Sequence, residues 1–482
     1  MKSVSAEIKI RIILLALSCV GLTTHAQDIS RDIAMGKEGL AMVEQQMGVY
    51  AFEALDTVLQ RIGQNLVSKL EKPLFPYEFY LVDSPEPNAF ALPGGKIFVT
   101  RGLLVLPLSE DELAGVIGHE IIHSNNRHSI KQQNNSVWGT LVAIPGLIIG
   151  GIFQGPIGQV VASPFLIGNE LLTSSYSRAH EKEADKFGIE LAAKAGYDPH
   201  QLAAILNRLQ AEAQFITGEE EKKSYFASHP YTPKRIEAIE KNSKKNVPAS
   251  SGFKLESNKF LPLFNELLLT ENPRYGFVND SVFYHPEKLL RVDLHAGWDH
   301  AITPSSFGMA SKERDAIITL SVLPDTANAE KMILAIEKAM KRESNLSPSK
   351  TEKLNWFGYN GQMVEFVSNS NQQTIKLQVF AIDYKSDEVI KFVAMFKADA
   401  EKKVTDLLKK TKTISRSELP KAEIEKLQLV KALENETLAD VITREDASEF
   451  ASLIAIINGK TADESLKAGE YIKIVKKQYQ RF

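Results

Sequence analysis

The spacing of apolar residues predicts a largely helical first half of the chain. Between residues 28 and 71 they recur every three to four positions, as at Leu55 and Leu59, which is the period of an amphipathic helix. A second helical region is predicted from residue 178 to about residue 241. Residues 77–82 alternate as in a strand, so a small sheet is expected among the helices.

The pattern changes after a polar, turn-rich segment at residues 242–252, which we interpret as a linker. Beyond it, strand-like runs alternate with helical patterns. The strands are predicted at residues 316–322, 361–367, 374–381 and 389–396, and the helices at 327–341 and 398–409. The second half is therefore expected to be an α+β domain, with a small mixed unit after it.

Composition and charge narrow the class of protein. Hydrophobic residues make up 44% and charged residues 24% of the chain, as in a globular protein. Its 482 residues predict two or three domains. The net charge of −3 and the lack of a basic block in the sequence give no support to nucleic-acid binding.

The first 26 residues have the composition of a secretory signal peptide. Lys2, Lys9 and Arg11 precede an apolar run at residues 12–22, and Ala26 offers a small residue for cleavage. We expect a cleaved signal and a periplasmic or secreted protein, either free or associated with a membrane. An uncleaved anchor is the alternative, although the apolar run is short for a bilayer.

Residues 138–172 form a second apolar stretch that is rich in glycine. Its uninterrupted part is shorter than the roughly twenty residues that a membrane-spanning helix needs. We expect a buried or membrane-surface hairpin next to the motif described below, and a transmembrane span is the alternative.

The strongest chemical signal is the motif from His119 to His123, His-Glu-Ile-Ile-His. Ser109 and Glu112 fit a capping box, which predicts the start of a helix that continues into the motif. Residues four apart share a helix face, so the two histidines can bind one zinc ion while Glu120 lies beside it as a candidate general base. An exposed polar turn is the alternative, but the apolar residues before the motif favour a buried helix.

A third ligand is needed, and Glu181 is the best candidate. It lies four residues before Asp185 in a charged stretch, so both carboxylates share one face of a predicted helix. One carboxylate can bind the metal while the other accepts the ring N–H of a histidine ligand. A solvated charged face is the alternative, whereas Ala184 and Leu191 favour a helix that packs inward.

Four sequence blocks occur in a specific order between about residues 30 and 241. They are residues 88–95, residues 119–128, residues 177–185 with 195–199, and residues 228–230 with Arg235. Together they resemble the HtpX and CAAX-prenyl-protease family of gluzincin metallopeptidases, especially its BepA-like periplasmic branch. The resemblance implies a mostly helical zincin-type peptidase domain with a small β-sheet, within an α+β chain.

The resemblance also implies roles for the candidate site residues. It assigns one Zn²⁺ per subunit to His119, His123 and Glu181. It makes Glu120 the catalytic base, and it lets Asp185 orient His119.

Two further expectations concern the substrate and the control of activity. The segment that begins at Gly94 and Gly95 and includes Ile97 and Val99 is expected to be an edge strand on which an extended peptide is laid. A strand fully paired within its sheet is the alternative. His229 has the character of a turn residue by itself, but the resemblance implies that it approaches the zinc, either as an inhibitory fourth ligand or as a catalytic group.

These assignments predict a secreted zinc endopeptidase that hydrolyses unfolded or misassembled envelope proteins as a form of quality control. The outer-membrane assembly machinery is the expected partner. Two alternatives remain open. One is a chaperone-like or autoinhibited client-binding protein whose zinc is held in a closed site, and the other is a membrane-embedded peptidase.

The expected domains are a signal peptide at residues 1–26, a zinc metallopeptidase domain at 27–241, a linker at 242–252, an α+β accessory domain at 253–415 and a C-terminal unit at 416–482. Residues 435–441, 457–459 and 466–472 make this last unit similar to a LysM module. That likeness implies a contact with peptidoglycan, and packing against the peptidase domain is the alternative.

Overall fold

The computed structural model describes residues 28–133, 176–217, 225–248, 254–295, 297–324, 328–370, 373–385 and 387–482. The expected signal peptide and the apolar stretch at 138–172 lie outside the described residues. Across the described ranges, no helix combines the length and the apolar character needed to cross a bilayer. Helices and strands both contribute extensively, so the α+β class predicted from sequence is confirmed.

Helices dominate the first half of the chain. Their bounds are α1 residues 28–46, α2 Glu53–Val67, α3 Arg101–Leu104, α4 Glu110–Asn125, α5 His128–Gln133, α6 Arg178–Lys194, α7 Gln201–Thr217, α8 Tyr225–Ser228, α9 Pro233–Ser243 and α10 Ser257–Phe260. Three strands lie among them, β1 Glu78–Val82, β2 Ala89–Leu92 and β3 Lys96–Thr100.

The three strands form one sheet in which β3 is the central strand. β3 pairs in parallel with β1 and antiparallel with β2, so both sides of its backbone are bonded. The prediction of an edge strand beginning at Gly94 is therefore wrong. Gly94 and Gly95 form the turn between β2 and β3, and Ile97 and Val99 are buried in the middle of the sheet. The edge strands of this sheet are β1 and β2.

The sheet is packed between two layers of helices. On one face, Phe90 and Phe98 stack with their ring centroids 4.8 Å apart and contact Val43 of α1. On the other face, Ile97 and Val99 belong to the main core with residues of α2 and α4. This alternation of side chains along β3 is that of a strand covered on both faces.

The start of α4 is fixed by its cap. The Ser109 hydroxyl accepts a hydrogen bond from the backbone of Glu112 at 3.3 Å, as predicted. The Glu112 carboxylate does not complete the predicted capping box. It accepts instead from the backbone of Leu108 at 2.7 Å and pairs with Arg208 of α7.

The second half is built on two sheets. Its strands are β4 Phe277–Asn279, β5 Val282–His285, β6 Leu290–Asp293, β7 Asp299–Thr303, β8 Ser306–Ala310, β9 Ala316–Pro324, β10 Lys350–Trp356, β11 Tyr359–Ser370, β12 Gln373–Lys385, β13 Glu388–Lys397 and β14 Lys412–Thr413. Its helices are α11 Ala329–Ser344 and α12 Glu401–Lys409. One sheet has the order β10-β11-β12-β13-β9-β8-β7 and the other β14-β6-β5-β4. The predicted strands fall on β9, β11, β12 and β13, and the predicted helices on α11 and α12.

The last unit consists of β15 Ala422–Lys431, α13 Leu438–Arg444, α14 Ala451–Asn458 and β16 Tyr471–Gln480. β15 and β16 pair antiparallel. Ile454 and Ile474 lie in the same hydrophobic core as the residues of α2 and α4. The buried Lys473 ammonium donates to the carbonyl oxygens of Val105 and Pro107, at 2.6 and 2.7 Å. The unit is thus packed against the chain that leads into α4.

Candidate metal site

A close crossing of α4 and α6 brings the two halves of the site together. A Cβ atom at Gly188 would lie 3.0 Å from the backbone nitrogen of His119, and one at Gly118 would lie 3.2 Å from the carbonyl oxygen of Gly188. Glycine, which has no Cβ, permits this approach of two backbones. The crossing places the first turn of α6, which carries Glu181, beside the motif on α4.

Four buried side chains with ligand-type atoms converge at this crossing, and these atoms all lie within 4.8 Å of one another. The Nε2 atom of His119 is 2.9 Å from Nε2 of His123 and 3.3 Å from Nδ1 of His229. Oε1 of Glu181 is 3.2 Å from Nε2 of His123 and 3.0 Å from Nδ1 of His229. The structure therefore brings together residues from α4, α6 and the loop after α8.

The separations of these atoms fit a metal centre. In a tetrahedral zinc site with metal–ligand distances of about 2.0–2.2 Å, the ligand atoms are roughly 3.3–3.6 Å apart. The four separations given above, 2.9, 3.3, 3.2 and 3.0 Å, lie at or slightly below the lower end of that range. Imidazole nitrogens and a carboxylate oxygen are also the donors that zinc prefers. The residues fit a zinc ion held by His119, His123 and Glu181, with His229 at the fourth position.

A buried ion-pair network contacts His119 and the backbone of His229. Nδ1 of His119 lies 3.0 Å from Oδ1 of Asp185, and Arg235 donates to both carboxylate oxygens of Asp185, at 2.8 and 2.9 Å. Burial alone would raise the pKa of Asp185, but the charges of Arg235 and His119 outweigh it and hold that pKa below its usual value. Arg235 also donates to the carbonyl oxygen of His229 at 3.1 Å, so it joins α6 to the loop that carries this histidine.

Glu120 lies in the site with its carboxylate not hydrogen-bonded within the described residues. Both of its carboxylate oxygens are buried and accept no hydrogen bond from the described part of the chain, and Nε2 of His229 is 3.4 Å from Oε1. Burial raises the pKa of Glu120, and the neighbouring His229 and His119 only partly offset it. A buried carboxylate with a raised pKa and unused lone pairs is suited to accepting and returning a proton.

Two tyrosines cover the cluster, and neither was identified from sequence. The ring of Tyr225 stacks on His229 at 4.3 Å, and that of Tyr176 stacks on His123 at 3.9 Å. The backbone N–H of Tyr176 donates to the carbonyl oxygen of Ser228 at 3.0 Å. Glu120 and all three histidines of the cluster are fully buried, so the site is closed in this conformation.

His128 is a further neighbour of the site that helical spacing misses. Its Nδ1 lies 3.0 Å from Nδ1 of His123, on the ring edge opposite the cluster, and its ring stacks on His180. Helical geometry places the two residues on different faces, but α4 ends at Asn125 and Arg127 has a φ of 55°. This positive φ redirects the chain, so spacing along the helix no longer predicts the direction of His128.

Comparison with known proteins relates part of the chain to a peptidase family. Residues 53–243 match the model of Peptidase family M48, a range that contains every residue of the cluster. Over 211 residues the chain is 28% identical to the putative beta-barrel assembly-enhancing protease of Vibrio cholerae, covering 43% of each chain. Over 244 residues it is 25% identical to the beta-barrel assembly-enhancing protease of Escherichia coli, covering 49% of this chain and 50% of the relative.

A third relative is a mitochondrial protease. The chain is 36% identical over 165 residues to the mitochondrial metalloendopeptidase OMA1 of Schizosaccharomyces pombe, covering 34% of this chain and 46% of the relative. The chain thus spans half or less of the length of these three relatives. The family recognised from the sequence blocks is confirmed for the part of the chain that carries them.

Proposed function

We propose, from the premise that residues 53–243 are a peptidase domain of family M48, that the protein is a zinc-dependent endopeptidase. Its proposed substrates are unfolded or misassembled proteins of the cell envelope. The observation that carries the proposal is the convergence of His119, His123 and Glu181 with Glu120 beside them. The names of the relatives, two beta-barrel assembly-enhancing proteases and a metalloendopeptidase, support the same activity.

The proposed reaction is hydrolysis of a peptide bond. When bound, zinc supplies a Lewis acid that lowers the pKa of water from about 15.7 toward about 7. Glu120 accepts a proton from the attacking water and returns it to the leaving amine. Asp185 keeps His119 in the tautomer and orientation that a ligand needs, and Arg235 in turn holds Asp185.

We propose that the extended substrate adds to β2, since β3 has no free side. The carbonyl oxygen of Asn88 accepts from the backbone of Thr100, so alternate residues of β2 bond to β3 while Ala89 and Ala91 direct their backbone groups outward. Recognition through backbone groups makes little demand on side chains, which suits an unfolded substrate.

The outward edge of β2 is connected to the metal site through two side chains. The Ser129 hydroxyl lies 3.5 Å from the carbonyl oxygen of Ala91 and 3.0 Å from the hydroxyl of Tyr176, whose ring stacks on His123. A substrate strand at this edge therefore has to replace the Ser129 contact. Substrate addition and uncovering of the site are coupled in this proposal.

Full burial of Glu120 and His229 favours a latent form of the enzyme. We propose that His229 holds the fourth position until its loop moves, with Tyr225 stacked behind it. The same closed geometry supports a second candidate, a client-binding protein whose zinc is never exposed to substrate. Activity after removal of the His229 ring separates the two.

The proposal includes a location in the cell envelope and contact with the outer-membrane assembly machinery. The names of the beta-barrel assembly-enhancing relatives support both parts. Contact of the last unit with peptidoglycan is supported by its similarity to a LysM module. The strand–helix–helix–strand order of β15, α13, α14 and β16 is consistent with that similarity. Its packing against α4 is the competing role.

The experiment that tests the proposal is digestion of one outer-membrane protein in its denatured and folded forms by the purified full chain. We expect cleavage of the denatured form alone, loss of cleavage with a zinc chelator, and recovery when zinc is returned. Chelator-resistant cleavage would reject the zinc mechanism. If neither the parent nor a variant without the His229 ring cleaves the denatured protein, the client-binding role is favoured.

A further inference from the structure

A cavity of about 550 Å³ lies between the end of α1 and the second half of the chain. Its walls come from α1, β5, β7, β8, β9 and β13, from the segment before β4, and from the turns that follow β5 and precede β8. The metal-site residues named above are not among its lining residues. Pockets of roughly 300–1,000 Å³ are the size that binds small organic ligands.

Lys391 gives this cavity its uncompensated charge. It lies on β13, an inner strand paired with β9 and β12. Its side chain is half-buried, and this burial lowers its pKa. Within the described ranges its ammonium has no hydrogen bond or ion pair. Removing a charge from water without giving it a partner costs free energy. Lys391 carries such a charge at the wall of the cavity.

The other charged residues near Lys391 are already paired. Lys288 forms an ion pair with Glu388, and Arg274 pairs with Glu287 at 2.6 Å. Glu44 at the rim is exposed to solvent. His285 is uncharged at neutral pH because burial, with the Lys288 charge, lowers its pKa to about 4. Among the lining residues, the half-buried Lys391 is therefore the cation without a charged partner.

Hydroxyl groups lie in register with this cation. Lys391 is directly opposite Ser321 of β9, and Ser321 is directly opposite Ser306 of β8, so the three side chains share one face of the sheet. The Thr303 and Ser306 hydroxyls are 2.8 Å apart. An ammonium beside a row of hydroxyl donors has the chemistry that binds a carboxylate.

The rest of the wall is apolar. Phe283 and Phe307 stack with ring centroids 3.8 Å apart, and both line the cavity with Leu320 and Val322. β8 begins at Ser306 opposite Ser321, so β9 continues past the start of β8. Where β9 extends past β8, the cavity contacts both faces of the sheet. Ser306 and Ser321 lie on one face, and Phe307 and Leu320 lie on the other.

We propose that this cavity binds an organic ligand with one carboxylate and an apolar body. The carboxylate pairs with Lys391 and accepts from Ser321 and Ser306, and the body contacts Phe307 and Leu320. Two sources share this chemistry, a fatty acid and the C-terminal carboxylate of a peptide. The proposal does not depend on the peptidase activity.

The test is calorimetric titration of the full chain with decanoate and with N-acetylphenylalanine, each compared with its own primary amide. We expect at least one carboxylate to bind about tenfold more tightly than its amide, the size of one charge-assisted hydrogen bond. A preference for decanoate alone identifies a lipid-type ligand, and one for N-acetylphenylalanine alone identifies a peptide terminus. Equal binding of acid and amide in both pairs, or no binding at all, overturns the proposal.

Two variants assign the effect to the ammonium. Lys391→Met keeps the length of the side chain and should abolish the preference for the carboxylate, whereas Lys353→Met on the exposed strand β10 should leave it unchanged. Lys391→Met should unfold at the same or a higher temperature, since it removes a half-buried charge that has no partner in the described residues. Ser321→Ala should weaken the preference without removing it. A preference that survives in Lys391→Met contradicts the proposal.

Discussion

Gly188 lies so close to His119 that a methyl group on its α-carbon would be 3.0 Å from the His119 backbone nitrogen. The crossing of α4 and α6 at this point sets the distance between the histidine motif and Glu181. Gly188→Ala is therefore expected to push the helices apart and cost about 1–3 kcal/mol in the free energy of unfolding. It should also weaken zinc binding, measured by competition with a chromogenic chelator.

Gly308→Ala is the matched control for that variant. The nearest atom to a Cβ at Gly308 is 4.0 Å away, on Thr319, so both unfolding and zinc binding should be close to those of the parent. If Gly188→Ala keeps the zinc affinity and stability of the parent, the close crossing does not determine the geometry of the site.

Glu120→Gln should separate metal binding from hydrolysis. The amide has the size of the carboxylate but cannot accept the proton, so turnover of a denatured protein should fall by roughly 10²–10⁴. Zinc content should stay unchanged because Glu120 is not among the proposed ligands. Glu38→Gln, on the exposed side of α1, should behave as the parent, and substantial turnover by Glu120→Gln would remove this residue from the mechanism.

His229→Ala is expected to raise turnover. Nδ1 of His229 lies 3.3 Å from Nε2 of His119, so in the proposed zinc site its ring takes the fourth position, and its loss frees that position. His200→Ala removes a half-exposed histidine and should have no effect. Initial rates on the same denatured substrate measure the difference, and a fall in rate with His229→Ala would assign it a catalytic role instead.

Asp185→Asn should lower zinc affinity by about 10–100-fold, the usual effect of losing the group that orients a histidine ligand. It also leaves the buried Arg235 with one charged partner fewer, so a loss of stability is expected. Glu190→Gln on the same helix is the control. Unchanged zinc affinity in Asp185→Asn would show that the contact with His119 is incidental.

Lys473→Met tests whether the last unit stabilises the segment that leads into α4. The ammonium is the donor to the carbonyl oxygens of Val105 and Pro107, and leaving them unpaired should cost roughly 1–3 kcal/mol per group. Urea unfolding should show the loss. Lys477→Met, on the same strand and paired with Glu449, should change stability little, and equal stability of the two variants would contradict the docking role.

Local sequence patterns predict the structural features that residues close together in the chain form. The Ser109 cap, the helix through His119 and His123, and the glycine turn before β3 all follow from residues a few positions apart. The pairing of β3 on both sides does not. Its second partner, β1, is parallel and precedes it in the chain, so no hairpin signal marks the contact, and a central strand was predicted as an edge.

Long-range packing accounts for the rest of the site. The spacing of Glu181 and Asp185 predicts a shared helix face, but only the approach of Gly188 to the backbone of α4 turns that face toward the histidines. Tyr225 lies in a short helix with no periodic pattern. Its ring stacks on His229 and its backbone N–H donates to the carbonyl oxygen of Pro87. These contacts between distant residues are not visible in the sequence.

The most direct test of the zinc site is metal analysis by mass spectrometry of the purified parent and of Glu181→Ala, with circular dichroism to confirm folding. We predict one zinc ion per chain in the parent and a large loss in the variant. A correctly folded parent without a divalent ion, or full zinc occupancy in Glu181→Ala, would contradict the account.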